Sequence, residues 1–264
     1  MKLKLAVIAA LAVSSLAAST ITTGSKSGSY YKIGAKLSTI VPMTVQKSKG
    51  STQNLDRVSK GEADFGIVQK DDYKRFMDKN PGAPIELIGD LKMECLYVVS
   101  STTSKVEADT DMQKDGVKVA IGKKGAGTQA TWAYMKSLES GFKKATGIPK
   151  GGLRALAGLT SGTYDAALFM QTPATTNKLV KTVLANEALR FVPVTDWDLN
   201  DKLPSGQPVY THEKIDLASG FLNDTELKTI CTTASVITNT EADEDTIDEV
   251  IDVLLNSKNF LLSN

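Results

Sequence analysis

Three loops of the chain place glycine, serine and threonine directly before a predicted helix: Gly24–Tyr30, Gly50–Asn54 and Gly122–Gln129. A helix N-terminus leaves four backbone N–H groups unpaired and carries partial positive charge. Glycine lets that backbone approach a ligand closely, and hydroxyl groups add donors. Such loops suit a carboxylate or another oxyanion, although ordinary capping of a strand-to-helix turn explains any one of them alone. Three in one chain favour a binding site.

Other chemistry finds little support in the sequence. Residues 24–29 lack the Lys-Ser or Lys-Thr ending of a P-loop, and residues 122–127 miss the G-x-G-x-x-G spacing of a dinucleotide loop. His212 is the single histidine, and no G-x-S-x-G elbow accompanies it. No pair of carboxylates stands out as an acid and base. We therefore expect a binding protein rather than an enzyme, with no cofactor and no metal.

Charge and length limit the partners. The 264 residues include 31 Lys and Arg against 30 Asp and Glu, so no overall field attracts nucleic acid or an anionic membrane. A chain of this length can bury a substantial core without further support. We expect a monomer whose partners are a small-molecule ligand and a membrane protein, with no nucleic acid and no direct insertion into the membrane.

The N-terminus has the order of a secretory signal peptide. Lys2 and Lys4 precede an apolar run over residues 5–16, and Ser15-Leu16-Ala17 forms a cleavage signature of small residues. The run is too short to span a bilayer, and a buried N-terminal helix is the alternative. No cysteine near the cleavage point offers a lipid anchor. The sequence predicts removal of residues 1–17 and a mature protein in the periplasm of a Gram-negative cell.

The two cysteines lie in apolar, β-branched runs that predict buried strands. Cys95 lies within residues 93–99 and Cys231 within residues 230–237. An oxidising compartment permits a disulfide if the two strands are neighbours, and two separate core thiols are the alternative. From the residues alone both possibilities stay open, and a catalytic role is disfavoured.

Short apolar strands alternate with helical patterns, which is typical of an α/β fold with mainly parallel strands. We expect a second unit to begin near Val117–Ile121, and an amphipathic helix to close the chain after a cap at Thr240. The remaining expectations are strands at 20–23, 43–46, 65–68, 85–88, 95–99, 153–156, 166–169 and 191–194, helices at 51–60 and 172–184, and a loop at 196–212.

Seven blocks occur in a recognisable order: Ile21–Gly24, Ser27–Tyr31, Gly50–Leu55, Gly61–Gln69, Val119–Gly122, Gly125–Thr128 and Gly162–Ala167. In this order they resemble the TAXI family, the solute-binding proteins of tripartite ATP-independent periplasmic (TRAP) transporters. The resemblance covers about residues 21–179. The family usually has glycine before the proline of the last matched region, where this chain has Gln171-Thr172-Pro173.

The resemblance implies a type II periplasmic-binding fold, in which two α/β lobes joined by a hinge enclose a ligand cleft. Lobe one then comprises residues 18–101, lobe two residues 102–203, and residues 204–264 return to lobe one and form the C-terminal helix. The cysteine strands fall near the lobe-one end of the hinge, where a disulfide between Cys95 and Cys231 is reasonable.

The resemblance also implies a receptor that captures a small organic anion, either glutamate-like, a dicarboxylate or a 2-oxo acid, for a TRAP permease. A receptor of the same fold serving a sensor kinase or an ABC importer is the alternative, and an extracytoplasmic enzyme is a more distant one. The expected ligand-binding residues are Gly28, Ser29, Tyr30, Ser51, Thr52, Asn54, Gln69, Gly127, Thr128, Gln129, Gln171 and Thr172.

Overall fold

The computed structural model describes residues 18–175, 177–218 and 225–263, so the predicted signal peptide lies outside the described residues. The strands are β1 (Thr20–Thr22), β2 (Thr44–Gln46), β3 (Phe65–Gln69), β4 (Ile85–Ser101), β5 (Lys118–Ala120), β6 (Thr146–Ile148), β7 (Ala166–Gln171), β8 (Leu189–Val192), β9 (Thr211–Asp216) and β10 (Glu226–Asn239). The α-helices are α1 (Ser29–Leu37), α2 (Ser51–Ser59), α3 (Lys70–Lys79), α4 (Gly127–Leu138), α5 (Leu153–Thr160), α6 (Lys178–Leu184), α7 (Glu244–Asn256) and α8 (Lys258–Leu262). Within these residues, no helix has the length and apolar character needed to cross a membrane.

The strands form one mixed sheet in the order β2-β1-β3-β10-β4-β7-β5-β6, with β8 beside β4 and β9 beside β10. Parallel strands β1, β2 and β3 lie at one end, and parallel strands β5, β6 and β7 at the other. The two halves are joined by β4, of 17 residues, and β10, of 14, which run antiparallel to each other. The expectation of mainly parallel strands was wrong, because five of the nine strand pairings in the described residues are antiparallel. The predicted strands 85–88 and 95–99 are parts of one long strand.

The buried hydrophobic residues of the described chain form four clusters, which we group into two cores. Ile21, Phe65 and Val236 belong to one core, and Leu96 and Trp132 to the other. We name the parts by these cores: lobe one comprises residues 18–94 and 232–263, and lobe two comprises the described residues from 95 to 231. The chain passes between lobes at Glu94 on β4 and at Thr232 on β10, which pair with each other.

The sequence analysis expects the return to lobe one at residue 204, whereas we propose a later return on the basis of this packing. Val209 and Tyr210, Ile215 on β9 and Ile230 on β10 all pack in lobe two. The second half of β10 and helix α7 do pack in lobe one. Periodicity alone does not reveal such a crossing, because one strand continues through it without a turn. A division at residues 94 and 232 is the one we propose.

Several local expectations were wrong. Residues 153–156 begin helix α5 rather than a strand, with Ala155, Leu156 and Leu159 buried and Leu153 69% exposed. A four-residue apolar run cannot distinguish the two structures. The predicted helix at 172–184 begins only at Lys178, where Asn177 caps it. Helix α7 is capped by Asp243 instead of Thr240, and α3 was not predicted at all.

The two cysteines lie opposite each other on β4 and β10 and form a disulfide. Both belong to the core of lobe two, and Cys95 also pairs with Gln171 on β7. The bond therefore lies at the lobe-two end of the hinge, not at the lobe-one end. It fixes the two hinge strands one residue away from Glu94 and Thr232.

A buried carboxylate joins the lobes on one side of the sheet. Asp71 lies at the start of α3 and is fully buried. Its Oδ2 accepts hydrogen bonds from Thr131 Oγ1 on α4 at 2.6 Å and from the Tyr210 hydroxyl at 2.9 Å. Nearby, Lys70 Nζ donates to Gln207 Oε1 at 3.0 Å. These contacts hold the two lobes together beside the cleft.

Removal of the disulfide tests its contribution. The bond closes a loop between residues 136 apart in the sequence, which restricts the unfolded chain. We expect the Cys95→Ala/Cys231→Ala variant to lose about 2–5 kcal/mol of unfolding free energy in urea denaturation. A reductant should lower the wild-type melting temperature and leave that of the variant unchanged. Equal melting of the wild type with and without reductant would contradict the expectation.

Asp71 gives stability a dependence on pH. Burial raises the pKa of Asp71 from its usual value to about 6. Since the folded pKa lies above the unfolded one, Asp71 favours folding at low pH, and this contribution is lost as pH rises through about 6. Relative to Asp71→Asn, the wild type should lose up to about 3 kcal/mol of unfolding free energy between about pH 4 and 7.5. Asp78→Asn, at an exposed position of the same helix, is the control. If the difference in unfolding free energy between the wild type and Asp71→Asn did not change with pH, the raised pKa of Asp71 would be refuted.

Candidate ligand-binding cleft

A cavity of about 290 Å³ lies between the lobes, near the lower limit of ordinary small-ligand sites. Loops before α1 and α2 form its lobe-one wall, the loop before α4 and the end of β7 form its lobe-two wall, and β4 contributes its floor. The lining residues are Gly24, Ser25, Gly28, Ser29, Tyr30, Lys49, Gly50, Ser51, Gln69, Glu94, Ala126, Gly127, Thr128, Met170 and Gln171.

Eight of the twelve expected site residues line this cavity. They come from five separate regions of the sequence, which the sheet brings to one place. The eight are Gly28, Ser29, Tyr30, Ser51, Gln69, Gly127, Thr128 and Gln171. Their direct contact with a ligand remains a prediction.

The other four have different surroundings. Asn54 is fully buried, and its amide donates to the carbonyl oxygens of Thr23 and Ile67. It therefore stabilises the backbone beneath the loops and does not line the cavity. Thr52 donates to Asp72 Oδ2 at 2.7 Å. Gln129 accepts from the Gly125 backbone at 3.0 Å and holds its loop in shape. Thr172 lies beside the cavity, in a wider opening of about 720 Å³ that shares residues with it.

Three helix N-termini open into the cavity without side-chain caps. The N-cap residues of α1, α2 and α4 are Gly28, Gly50 and Ala126, and none caps its helix through a side chain. By contrast, α6 and α7, whose N-termini do not line the cavity, are capped by Asn177 and Asp243. Helices α3, α5 and α8 also lack a side-chain cap. The distinguishing feature is therefore the convergence at one cavity of the ends of α1, α2 and α4, two from lobe one and one from lobe two. This arrangement can bind an oxyanion.

The floor of the cleft carries a charged pair that the sequence analysis missed. Glu94 is 8% exposed, and its Oε2 accepts hydrogen bonds from the Tyr30 hydroxyl at 3.1 Å and from Gln69 Nε2 at 2.9 Å. Its Oε1 lies 3.3 Å from Lys92 Nζ. Lys92 and Glu94 alternate on β4 just before its apolar run at residues 95–99, and this pair of charges on one strand face was the available signal.

Tyr30 serves this floor as a donor. Burial, and then the neighbouring Glu94 carboxylate, raise the pKa of Tyr30 well above its usual value. The phenol therefore stays protonated and donates to Glu94. Because Tyr30 is the second residue of helix α1, it connects one of the open helix ends to the floor.

Glycines allow the two lobes to approach each other at this site. A Cβ atom on Gly127 would overlap Gln69 Oε1, and one on Gly50 would lie 2.9 Å from the Gly125 carbonyl oxygen. Gly50 also has a φ of 130°, which L residues rarely adopt. Gly50 therefore lets the walls meet backbone to backbone, and Gly127 makes room for the Gln69 side chain.

A sequence model of the NMT1-like family matches residues 21–264. The chain belongs to the NMT1-like family. No curated protein sequence is similar enough to the chain to count as a match.

Solved structures with the same architecture include transport receptors. An amino acid ABC transporter substrate-binding protein from Streptococcus pneumoniae, bound to L-arginine, has a TM-score of 0.54 at 15% identity, covering 92% of both chains. The arginine-, lysine- and histidine-binding protein of Geobacillus stearothermophilus has a TM-score of 0.54 at 11% identity, also covering 92% of both. A protein from Xanthomonas citri bound to chloride has a TM-score of 0.58 at 11% identity, covering 90% of this chain and 83% of that one. At these identities the similarity establishes the type II periplasmic-binding fold.

The Gly127 contact yields a test of cleft closure. Gly127→Ala should hold the lobes apart, because its methyl group would occupy the space of the Gln69 amide. We expect ligand affinity, measured by calorimetric titration with small organic acids, to fall at least about tenfold because the closed state is disfavoured. Gly82→Ala is the control, since a Cβ there meets nothing within 4 Å. Combining Gly127→Ala with Gln69→Ala should restore closure as measured by small-angle scattering, and failure to do so would contradict the proposed clash.

Proposed function

We propose that this protein is a solute-binding receptor that captures a small organic acid and presents it to a membrane transporter. The supporting observation is that three uncapped helix N-termini, supplied by both lobes, open into one cavity of about 290 Å³. The ligand carboxylate takes the place of the missing caps and accepts their N–H groups. Since both lobes donate to it, binding favours the closed arrangement.

The TAXI-like blocks favour a TRAP permease as partner, and the predicted signal peptide favours the periplasm as the place of action. Glutamate-like acids, dicarboxylates and 2-oxo acids form the candidate ligands. An ABC importer is the second candidate partner, because structures of the same fold include substrate-binding proteins of amino acid ABC transporters.

The side chains that line the cleft support ligand binding without a chemical reaction. His212 is not among the cavity-lining residues; it lies on β9, with its ring 4.4 Å from that of Trp197. The protonated phenol of Tyr30 already donates to Glu94. Neither group is arranged as a general base beside a nucleophile.

Thermal melting of the refolded protein tests the proposal. The panel consists of glutamate, glutamine, dicarboxylates of four to six carbons, 2-oxo acids, phosphate and sulfate. A ligand at a hundred times its dissociation constant should add about 2.7 kcal/mol of stability, which corresponds to several degrees. The methyl ester of an active acid should give no shift, because it lacks the charge that the helix ends bind.

Two results would count against receptor function. One is a panel in which no acid changes the melting temperature. The other is chemical alteration of a ligand that depends on His212, tested with His212→Ala. On the proposed function, His212→Ala binds the same acid with unchanged affinity.

A further inference from the structure

Asp71 lies directly behind the ligand cleft, near the start of α3. Gln69, which lines the cavity, is two residues before Asp71, and Gly127, at the opposite wall, is one helical turn before Thr131. Movement of α4 toward α3 therefore closes the cavity and brings Thr131 to Asp71 at the same time. We propose that closure of the lobes takes up one proton at Asp71, so that the protein holds its solute more tightly at acidic pH. The effect on affinity rests on the proposed function, whereas proton uptake on closure does not.

The hydrogen bonds of Asp71 are divided between the lobes. Its Oδ1 accepts the backbone N–H of Asp72, in lobe one, at 2.8 Å. Its Oδ2 accepts from Thr131 Oγ1 at 2.6 Å and from the Tyr210 hydroxyl at 2.9 Å, both in lobe two. When the lobes separate, both lobe-two donors leave and water replaces them. The surroundings of the carboxyl group therefore change on closure, and a group whose surroundings change also changes its affinity for a proton.

No cation neutralises Asp71 when the lobes are closed. Lys70, Lys74 and Arg75 of the same helix each pair with another carboxylate, and no ion pair among the described residues includes Asp71. A fully buried carboxylate without a cation favours its neutral form. Burial, reinforced by the neighbouring charge of Asp72 and opposed by the two hydroxyl donors, accordingly raises the pKa of Asp71 to about 6.

The other titratable groups that face Asp71 are uncharged phenols. Tyr210, Tyr134 and Tyr30 approach it from the loop before β9, from α4 and from α1, and burial raises the pKa of all three above the ordinary value. Strand β3 carries no charged side chain, and neither does β10 between residues 229 and 238. The charged side chains of α2 and α4, and Asp201 in the loop before β9, are engaged elsewhere: Asp56 with Lys60, Arg57 with Thr22 and the Lys47 carbonyl oxygen, Lys136 with the Trp132 ring, and Asp201 with Tyr134 and Lys74.

Hydroxyl partners suit both charge states of Asp71. A hydroxyl group can either donate or accept a hydrogen bond. The ionised carboxylate accepts from Thr131 and Tyr210, as in the structure, and the protonated group can donate to one of them and accept from the other. The proton enters from water as the lobes close and returns to water as they separate.

The direction of the pH effect follows from the two states. In the open state Asp71 is in contact with water, and its pKa lies near the ordinary value of about 4. In the closed state burial raises this pKa to about 6. Because the pKa is higher in the closed state, protonation favours closure, and this preference is lost as the pH rises through about 6. These values predict that the solute binds about tenfold more tightly at about pH 5 than at about pH 7.5.

Calorimetric titration measures the proton directly. The refolded protein is titrated with the acid of the melting panel that gives the largest shift, at about pH 5.8, in MES and in Bis-Tris, two buffers with different ionisation enthalpies. The dependence of the binding enthalpy on the buffer gives the number of protons taken up. We expect the wild type to take up about 0.6 proton per bound acid more than Asp71→Asn, which cannot be protonated at this position.

Three variants assign the effect to Asp71. The affinity of Asp71→Asn should lack the tenfold change between about pH 5 and about pH 7.5, because its amide is neutral throughout. Asp78→Asn, at an exposed position of the same helix, should retain the change. Tyr210→Phe removes a donor that stabilises the ionised carboxylate, so the midpoint of the pH profile should move to higher pH. A purely structural contact would not move this midpoint, and circular dichroism checks that the variants are folded.

Small-angle scattering of the empty protein separates proton uptake from receptor function. The radius of gyration of the wild type should be smaller at about pH 5 than at about pH 7.5, and that of Asp71→Asn should not change. The same pH dependence of affinity in the wild type and Asp71→Asn overturns proton coupling and leaves solute capture intact. Binding of no panel acid overturns the proposed function, and in that case equal scattering profiles of the two proteins overturn the proton uptake as well.

Discussion

The antiparallel pairing of β4 and β10 is the constraint on which the other features depend. These two strands are the ones that take part in both lobes, and the strands that precede the walls of the cleft connect to them through at most two other strands. Where they cross from one core to the other, Glu94 faces the cleft and Cys95 is bonded to Cys231. A change in the register of this pair would separate Glu94 from Tyr30 and Gln69 at once.

The helix ends show how a binding site can reduce stability in the empty protein. Side-chain caps stabilise helices by roughly 1 kcal/mol each, and α6 and α7 have them. At α1, α2 and α4 the cap positions hold glycine or alanine, and these residues line the cavity. The three helices at the cleft therefore lack the hydrogen bonds of a side-chain cap, and a bound ligand can supply those hydrogen bonds. The same reasoning applies to Gln69, whose buried oxygen is unpaired in the described structure.

The sequence predicted the glycine-rich loops because their signals are local. Turn chemistry and helix starts depend on neighbouring residues, and eight predicted positions do line one cavity. Asn54 was placed in the cleft because its loop is there, but its side chain turns to the backbone of β3. Glu94 and Lys92 were missed because their function depends on the partners that the sheet brings to them, Tyr30 and Ser29 among others. The short apolar run of α5 carried too little periodicity to identify it as a helix.

The separation of the two cysteines has a consequence for how the protein matures. They are 136 residues apart in the sequence, and the strands that carry them come from the middle and the last part of the chain. Synthesis runs from the N-terminus, so Cys95 is made long before Cys231. Strand β4 must then wait for β10, and pairings between such distant segments form slowly. The floor of the cleft, which includes Glu94 beside this disulfide, is thus completed only after the last part of the chain is available.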